Sequence, residues 1–279
     1  MDLTLLKSLY NIEAVKLIHE FKTTDSTNQR AKEDIRDHME DEDWLLYSLP
    51  ALYVADIQTA GRGRLGRTWS SDSESGIWMS YLFAPKLSPE KIPSITLLAS
   101  LAVADAITEY AERHKYAIGK VQIKWPNDIV INKKKVCGIL TELVAPNYVI
   151  TGIGVNANTK EFDAELIDKA TSLFIESGYE WSRETLVYLI IRKFTDLVEE
   201  YEKSKSLDFI VDRYNEMLVS MNEEVVIVNS VSSGTSEPAK TFTCKGINNT
   251  GALLIEDNSG NISTVSSGEV SVRGIYGYV

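Results

Sequence analysis

The segment Gly61-Arg62-Gly63-Arg64-Leu65-Gly66-Arg67-Thr68-Trp69 sets three arginines among three glycines. Glycine lets the backbone adopt positive φ and bring its N–H groups close to a ligand, while each guanidinium offers a planar fork of donors that fits carboxylate or phosphate oxygens. The segment therefore predicts a site for an anion. Two other interpretations stay open here, because similar short segments occur in flexible solvated loops and in arginine/glycine tracts that bind nucleic acid.

The overall charge argues against the nucleic-acid interpretation. The 279 residues carry a formal net charge of −11, with 44% hydrophobic and 25% charged residues. This composition is typical of a globular protein, and the length suffices for one large domain and a small one. Because proteins that bind nucleic acid concentrate Lys and Arg over an extended face, we expect a local cationic site and no nucleic-acid partner.

The cysteines and the hydropathy pattern indicate the compartment. Cys137 and Cys244 are far apart in sequence and lack metal-ligand spacing, which predicts neither a disulfide framework nor a metal site. The N-terminus lacks the apolar core of a signal peptide, and we expect no segment long and apolar enough to span a bilayer. The sequence thus predicts a cytoplasmic protein without membrane contact.

Hydrophobic periodicity divides the chain into two parts, which we predict to be domains 1–221 and 222–279. In the first part strands are predicted at 52–57, 77–84, 121–125, 136–143 and 148–155. Helices are predicted after Asp25-Ser26-Thr27-Asn28, from Pro93 to about His114, and over 186–201 and 210–221. The second part contains only predicted strands, at 225–228, 242–247, 252–256 and 270–276, with a mobile hairpin loop at 230–236.

A second group of candidate site residues is Lys124-Trp125-Pro126-Asn127-Asp128. Lys124 ends a predicted strand and Pro126 forces a turn, so the Lys124 ammonium is expected where active-site loops begin. A lone lysine in this place is usually a solvated surface residue, but together with the arginine loop it indicates one cationic site. The run Lys133-Lys134-Lys135 is interpreted differently, as the solvated tip of a hairpin.

Five motifs follow one another along the chain. They are Ser26-Thr27-Asn28, the segment from Gln58 to Trp69, Lys124-Trp125-Pro126-Asn127-Asp128, Gly138-Ile139-Leu140 and Gly152-Ile153-Gly154-Val155-Asn156. In this order they closely resemble the motifs of the biotin protein ligases, also called biotin–[acetyl-CoA-carboxylase] ligases or holocarboxylase synthetases. The resemblance covers roughly residues 20–160, and the tail is similar, through weaker motifs, to the small C-terminal domain of that family.

The resemblance implies an α+β fold. Its catalytic domain would be a mixed sheet flanked by helices, as in class II aminoacyl-tRNA synthetases and biotin ligases, followed by a small C-terminal SH3-like β-barrel. It also implies a reaction of biotin with ATP that gives biotinyl-5′-AMP and pyrophosphate, and then transfer of biotin to a lysine of a biotin carboxyl carrier domain. Mg²⁺ is implied by the ATP chemistry, bound largely through substrate phosphates without a dedicated metal site.

This chemistry agrees with the residue types of the motifs. A carboxylate with a pKa near about 4.5 is already ionised at pH 7, so the first step needs cations and positioning rather than a general base. The three histidines, His19, His38 and His114, lie outside every motif. Positive charge near the α-phosphate would instead screen the approach of two anions and stabilise the transition state.

The family roles carry over residue by residue. Lys124 and Arg64 are the predicted catalytic residues. The predicted biotin site comprises Ser26, Thr27, Asn28, Gln58, Arg62, Gly63, Arg64, Lys124 and Gly138. The predicted ATP and adenylate site comprises Arg62, Arg64, Arg67, Trp69, Lys124, Asn127 and Asn156. Within it Trp69 would stack beside adenine and Asn156 would hydrogen-bond the adenine edge, although Trp69 also fits a plain core aromatic.

Three further alternatives concern activity and assembly. Only about 25 residues precede Ser26, too few for the winged helix-turn-helix of some family members, so we expect no repressor function. A lipoyl or octanoyl protein ligase of the same superfamily is the alternative enzyme, although the Gly-Arg-Gly-Arg form favours biotin. The expected partner is a biotin carboxyl carrier protein or carboxylase carrier domain, and a homodimer through the central sheet stays open.

Overall fold

The computed structural model of the protein describes residues 15–144, 147–229, 240–266 and 270–274. Seven strands form its central sheet: β1 (Leu17–Thr24), β2 (Ala51–Gln58), β3 (Ile77–Phe83), β4 (Val121–Lys124), β5 (Asp128–Ile131), β6 (Lys134–Val144) and β7 (Tyr148–Val155). Their spatial order is β1-β2-β3-β7-β6-β5-β4. Strands β1 and β2 are parallel and the other neighbours are antiparallel, so the sheet is mixed, as predicted.

Strands β2, β3, β4, β6 and β7 occupy the predicted segments to within a few residues. The sequence pattern does not indicate β1 or β5. Strand β1 is a mostly half-exposed edge strand with polar residues on both faces, and β5 has only four residues, beginning at Asp128. Such strands form through pairing with neighbours, and local propensity alone identifies them poorly.

In the part of the chain that the structure describes, six helices accompany the sheet: α1 (Thr27–His38), α2 (Glu42–Ser48), α3 (Ile95–His114), α4 (Leu173–Ser177), α5 (Arg183–Ser204) and α6 (Asp208–Met217). Helix α1 lies on one face, where Ala31 and Ile35 pack with Tyr53 of β2. Helices α3 and α5 pack together on the other face, where Tyr81 of β3 contacts Phe194 of α5. The four predicted helices are present, while the short helices α2 and α4 were not expected.

Helix α3 is unusually apolar. Helix α3 and the 3₁₀ turn before it form the segment Pro89–His114. By its length and composition this segment could cross a membrane, and its most apolar window has a mean hydropathy of 1.4. The expectation that no segment meets these limits is therefore wrong. Of that window, 78% is buried inside the protein. Packing against the sheet and α5 accounts for the apolar residues of α3, as in the core helix of a globular domain.

The second part of the chain is a five-stranded antiparallel sheet. It comprises β8 (Glu224–Asn229), β9 (Thr241–Ile247), β10 (Leu253–Glu256), β11 (Ile262–Val265) and β12 (Val270–Gly274), in the spatial order β11-β10-β9-β8-β12. The four predicted strands are present, and the exposed strand β11 was not expected. The predicted loop at 230–236 and the last two residues of the strand predicted at 270–276 lie outside the described residues.

The turn between β9 and β10 joins this second sheet to the rest of the protein. The Trp125 indole N–H donates to the Gly251 carbonyl oxygen at 3.1 Å, and the Leu207 backbone N–H donates to the Asn249 carbonyl oxygen at 3.0 Å. Gly251 is buried with φ of +83°, and a Cβ atom there would lie 3.1 Å from Leu207 and 3.2 Å from Leu97. The two parts therefore share one closely packed boundary.

We expect Gly251→Ala to lower the free energy of unfolding more than Gly260→Ala does. Both positions have positive φ, but nothing lies within 4 Å of a Cβ atom added to Gly260. The control variant should therefore lose only the left-handed backbone preference, about 1–2 kcal/mol, whereas Gly251→Ala must also displace two leucine side chains. Urea denaturation measures both values, and equal losses would contradict close packing at this turn.

Candidate active site

A cavity of about 600 Å³ opens beside the N-terminus of α1. Its walls come from the start of α1, the arginine loop (residues 61–69), the end of β4 and the strands β6 and β7. All but one of the predicted site residues line it: Ser26, Thr27, Asn28, Gln58, Arg62, Gly63, Arg64, Arg67, Trp69, Lys124, Asn127 and Gly138. The structure thus brings residues from all five motifs to one place, the fifth through Gly152, Ile153 and Gly154.

The register of the central sheet explains why these motifs meet. Cross-strand pairs join Lys124 to Asp128, Asp128 to Gly138, Gly138 to Gly154, and Gly154 to Trp78. We call these five residues the register row. Directly paired residues project from the same face of a sheet. The row therefore places Lys124 and Trp78 at the two ends of a strip whose middle, at the two glycines, carries no side chains.

Trp69 lies over these two glycines. A Cβ atom added to Gly138 would lie 2.8 Å from the Trp69 ring, and one added to Gly154 would lie 2.7 Å from Trp69 Nε1. The ring meets Trp78 edge-on, with centroids 6.4 Å apart. Trp69 Nε1 is buried and has no hydrogen-bond partner among the described residues. Trp69 is therefore a wall of the cavity with a donor directed away from protein acceptors, which differs from a plain core aromatic.

A second wall is polar and lies at the start of α1. Gln58 Oε1 accepts hydrogen bonds from the Thr27 backbone N–H at 2.8 Å and the Thr27 hydroxyl at 3.1 Å. The Ser80 hydroxyl contacts Thr27 Oγ1 at 2.6 Å and also Asn28 Oδ1. Asn28 Nδ2 donates to Glu142 Oε2 at 2.8 Å. Because a carboxylate only accepts hydrogen bonds, Glu142 fixes which way the Asn28 amide faces.

The polar wall also depends on a glycine. A Cβ atom added to Gly152 would lie 2.2 Å from Asn28 Oδ1, so a larger residue there would displace the amide. Ser26 is the N-cap residue of α1, yet its side chain makes no capping hydrogen bond. It is 4% exposed and lines the cavity. The Ser26 side chain therefore lines the cavity and does not cap the helix.

The arginine loop is folded as a tight hairpin. The Gly63 backbone N–H donates to the Arg67 carbonyl oxygen at 2.7 Å, and the Trp69 N–H donates to the Gly61 carbonyl oxygen at 2.9 Å. A Cβ atom added to Gly61 would lie 2.4 Å from the Trp69 carbonyl oxygen, so the two arms approach too closely for any side chain there. The loop thereby holds its arginines along the cavity.

Arg64 connects the arginine loop to the Lys124 motif. Its Nη1 donates to Asn127 Oδ1 at 3.0 Å, and Asn127 Nδ2 donates to the Ile139 carbonyl oxygen at 3.0 Å. Burial lowers the pKa of the Arg64 guanidinium, and the Asp128 carboxylate opposes that change. Half-buried Lys124 stands opposite Asp128 in the β4–β5 pair. The two predicted catalytic cations therefore share one neighbouring carboxylate.

Lys135 contradicts the interpretation of Lys133-Lys134-Lys135 as a solvated hairpin tip. Its ammonium lies 2.7 Å from Asp128 Oδ1 and 4.9 Å from the centroid of the Trp69 ring, and the residue lines the cavity. The physical reason is a shift in the β5–β6 register, which pairs Ile129 with Cys137 but Val130 with Lys135. This irregularity brings the Lys135 ammonium beside Gly138, against the alternation that a regular strand would show.

Asn156 is the predicted site residue that lies outside the cavity lining. Its Nδ2 donates to the Thr171 carbonyl oxygen at 3.1 Å, and its backbone N–H donates to the Val136 carbonyl oxygen at 2.9 Å. The side chain is 7% exposed. The backbone bond holds the chain after β7 against β6, and the side-chain bond holds it to the segment before α4. Contact of Asn156 with adenine stays a prediction.

Besides Lys135, sequence reasoning missed other residues at or behind the cavity, among them Ser80, Glu142, Asp168 and Lys169. Ser80 and Glu142 support the polar wall, and Asp168 and Lys169 line the cavity from the segment between β7 and α4. None of them belongs to a chosen motif. No local signal in the sequence marks Ser80 or Glu142, because strand register brings them to the wall: Ser80 pairs with Gly152, and Glu142 lies two residues after Leu140 on the same face of β6.

Comparison with known proteins places the chain in a family. Two family models match: Biotin/lipoate A/B protein ligase family over residues 20–158, and Biotin protein ligase C terminal domain over residues 235–273. The chain is similar to the biotin protein ligase from Aquifex aeolicus in complex with biotin and ATP, at 30% identity and a TM-score of 0.76, covering 93% of this chain and 99% of that one. The chain belongs to the biotin protein ligase family.

Curated relatives of this biotin protein ligase family member agree. The Bifunctional ligase/repressor BirA of Bacillus subtilis is 35% identical over 79% of this chain and 66% of that protein. The Biotin–[acetyl-CoA-carboxylase] ligase of Mycobacterium tuberculosis is 33% identical over 43% of each protein. The chain thus spans just under two thirds of the length of the Bacillus protein.

Two predictions are confirmed. The five motifs belong to the biotin protein ligase family, and the fold is α+β with a small C-terminal β domain. The boundary between 221 and 222 stays a prediction.

Proposed function

We propose that this protein is an ATP-dependent biotin ligase. It would activate biotin as biotinyl-5′-AMP and transfer it to a lysine of a biotin carboxyl carrier protein. The observation that carries the proposal is the joining of two unlike surfaces in one cavity: the polar wall at Thr27 and Asn28, and the cations grouped around Asp128. Family membership and the biotin and ATP of the Aquifex structure support it.

Biotin would place its ureido ring at the polar wall. That ring has two N–H donors and one carbonyl acceptor, and the wall offers oriented hydroxyl and amide groups at Ser26, Thr27, Asn28 and Gln58. Buried polar groups of this kind discriminate strongly against a ligand that cannot pair with them. The dithiolane of lipoate has no such donors, so the wall favours biotin over the lipoyl or octanoyl alternative.

The nucleotide would lie over the register row, with adenine beside Trp69. Its α-phosphate would then face the cations Arg64 and Lys124. In the first step a biotin carboxylate oxygen attacks the α-phosphorus and forms the acyl-phosphate bond. The bond from the α-phosphorus to the bridging oxygen breaks, and pyrophosphate leaves with its electron pair. No proton moves, so no general base is required. The cations stabilise negative charge that gathers between carboxylate and phosphate.

In the second step an uncharged acceptor amine attacks the biotinyl carbonyl carbon. An amide forms, AMP leaves as the phosphate anion, and the amine proton is released. Arg64 and Lys124 would stabilise the departing AMP by the same charges. The acceptor lysine must reach the cavity from solvent, which fits a carrier domain that presents it on an exposed turn.

The remaining predictions extend this proposal. Mg²⁺ would arrive with the nucleotide phosphates, since no cluster of three or more His, Cys, Asp or Glu is poised to bind a metal in the described ranges. Cytoplasmic localisation is compatible with Cys137 and Cys244, which are unpaired and buried, and burial raises the pKa of the Cys137 thiol. The absence of nucleic-acid and membrane partners, and a homodimer, stay predictions.

The direct test is labelling of a purified carrier domain. With ATP and Mg²⁺, we expect biotin to be attached to the acceptor lysine and lipoate not to be, as measured by mass spectrometry of the intact carrier domain. A carrier domain whose acceptor lysine is changed to arginine is the matched control. Transfer of lipoate in preference to biotin would replace the proposal with the lipoyl alternative, and no transfer of either would contradict both.

We expect Lys124→Gln to slow adenylation far more than it weakens biotin binding. The Lys124 charge is most valuable where negative charge develops, and loss of one such preorganised donor costs about 10² to 10³ in rate, or about 3–4 kcal/mol. Single-turnover formation of biotinyl-5′-AMP and equilibrium binding of biotin separate the two effects. A variant that adenylates at the parental rate, or fails only through lost biotin affinity, would contradict a catalytic Lys124.

Two glycine variants should separate the halves of the cavity. Gly152→Ala pushes against Asn28 and should weaken biotin binding, whereas Gly154→Ala pushes against Trp69 and should raise the KM for ATP. Since a displacement of about 1 Å can cost about 10²-fold, each effect should exceed about tenfold. Each variant serves as the control for the other. Equal loss of biotin and ATP affinity in both would refute the assignment of the two walls.

A further inference from the structure

The arginine loop is the middle of the connection from β2 to β3, residues 59–76. One arm leaves β2 after Gln58, and the other arm returns to β3 through Gly76. Near their start the arms are joined, because the Gln58 N–H donates to the Ser71 carbonyl oxygen at 2.8 Å. The position of the loop's arginines over the cavity therefore depends on where the two arms begin.

Arg183 contacts both ends of this connection from helix α5, which packs on the face of the sheet opposite α1. Its Nη1 donates to Asp56 Oδ1 on β2 at 3.3 Å and to the Gly76 carbonyl oxygen at 3.3 Å. The ion pair is largely shielded, with side-chain exposures of 17% for Arg183 and 16% for Asp56. Neither residue is among those that line the cavity. One guanidinium nitrogen thus ties the entry of the connection to its exit.

The chain just before Arg183 is itself held from two sides. The Ser182 N–H donates to the Tyr110 hydroxyl of α3 at 2.9 Å. The Asn158 side chain exchanges hydrogen bonds of 2.8 and 2.9 Å with the backbone of the residue before Ser182. The Asn158 N–H also donates to the Ser75 carbonyl oxygen at 2.8 Å. Arg183 therefore projects from a fixed helix start, and the exit of the connection is held at two successive residues.

Helix preference alone does not explain an arginine at this position. Arg183 is the first residue of α5, where the positive end of the helix dipole favours a carboxylate over a cation. A largely shielded guanidinium there needs compensating partners, and Asp56 supplies a negative charge. The contacts with β2 and with Gly76 therefore give this arginine a role that α5 by itself does not.

We infer that Arg183 is a positioning residue for the arginine loop and thereby sets how long the cavity retains biotinyl-5′-AMP. It fixes the two ends of the connection, and the arms between them hold Arg64 and Trp69 at the cavity wall. An intermediate beneath such arms leaves faster when the arms can move apart. This inference rests on the proposed function, because it assigns an adenylate intermediate to the cavity.

The test uses variants of the full chain. Arg183→Met removes the charge and the donors but keeps an apolar stem, and Arg183→Lys restores a cation. Asp56→Asn, alone and combined with Arg183→Met, shows whether the two residues act together. Lys193→Met is the matched control, because Lys193 also lies on α5 and forms an ion pair of similar exposure with Glu109, at 22% and 21%.

Release of the intermediate is the main measurement. Each variant is loaded with labelled biotin, ATP and Mg²⁺, and pyrophosphatase removes the pyrophosphate so that the adenylate accumulates. Dilution into excess unlabelled biotin and ATP then gives the dissociation rate constant of labelled biotinyl-5′-AMP. The Kd for biotin and the melting temperature are measured by calorimetry. All release rates are taken at a temperature at which every variant is folded.

We expect Arg183→Met to release the adenylate about tenfold to hundredfold faster than the parent. A displacement of about 1 Å can cost about 10²-fold, and losses of affinity appear mainly in dissociation rates. Arg183→Lys should recover at least half of the change on a logarithmic scale, since one nitrogen makes both contacts. Asp56→Asn should also speed release, and adding it to Arg183→Met should change little further. The biotin Kd should stay within about threefold, and Lys193→Met should keep the parental release rate whatever its melting temperature.

The inference is overturned if Arg183→Met retains the adenylate as the parent does, or if Lys193→Met releases it equally fast, since helix stability would then account for the data. Failure of Arg183→Lys to recover any of the change, additive effects of the Asp56 and Arg183 substitutions, or a parallel loss of biotin affinity would also contradict it. If Arg183→Met does not fold, Asp56→Asn carries the test, and release at the parental rate again overturns the inference.

Failure of the proposed function gives a different result. In that case the parent forms no biotinyl-5′-AMP from biotin and ATP. If the parent forms the adenylate and the Arg183 variants retain it equally well, the inference on Arg183 fails alone.

Discussion

The register of the central sheet is the constraint on which the cavity depends. Pairing across β4, β5, β6, β7 and β3 aligns Lys124, Asp128, Gly138, Gly154 and Trp78 in one row. A shift by one residue in any of these pairs would turn a whole strand over and exchange its two faces. Because both central positions of the row are glycine, the row leaves a slot into which the arginine loop inserts Trp69.

Positive charge is concentrated at the cavity, although the net charge of the molecule is negative. The chain as a whole is acidic, yet Lys124 and Lys135 are neighbours of one carboxylate, Asp128, and the Arg64 guanidinium is also influenced by it. A carboxylate in this position reduces the repulsion between cations while no anion is bound. The cations then stay in place instead of turning out to solvent, and a preorganised set of this kind stabilises developing charge effectively.

The second sheet contributes to the same arrangement from behind. Trp125 directly follows Lys124, and its indole is hydrogen-bonded to Gly251 in the β9–β10 turn. The Ser100 hydroxyl of α3 donates to the Pro126 carbonyl oxygen at 3.1 Å. The turn after β4 is therefore held by the core helix on one side and by the second sheet on another, so the C-terminal part of the chain supports the strand end that carries Lys124.

The sequence by itself determined the family, most of the strands and nearly all of the predicted site residues that line the cavity. These depend on local motifs and periodicity, and Gly61–Trp69 and Lys124–Asp128 contain their own turn and charge signals. Only the tertiary structure decided the roles of Lys135, Ser80 and Glu142. A register irregularity redirects Lys135 toward Trp69, and pairing across β3, β7 and β6 brings the other two to Asn28. Such contacts arise between residues far apart in the chain, so no local pattern contains them.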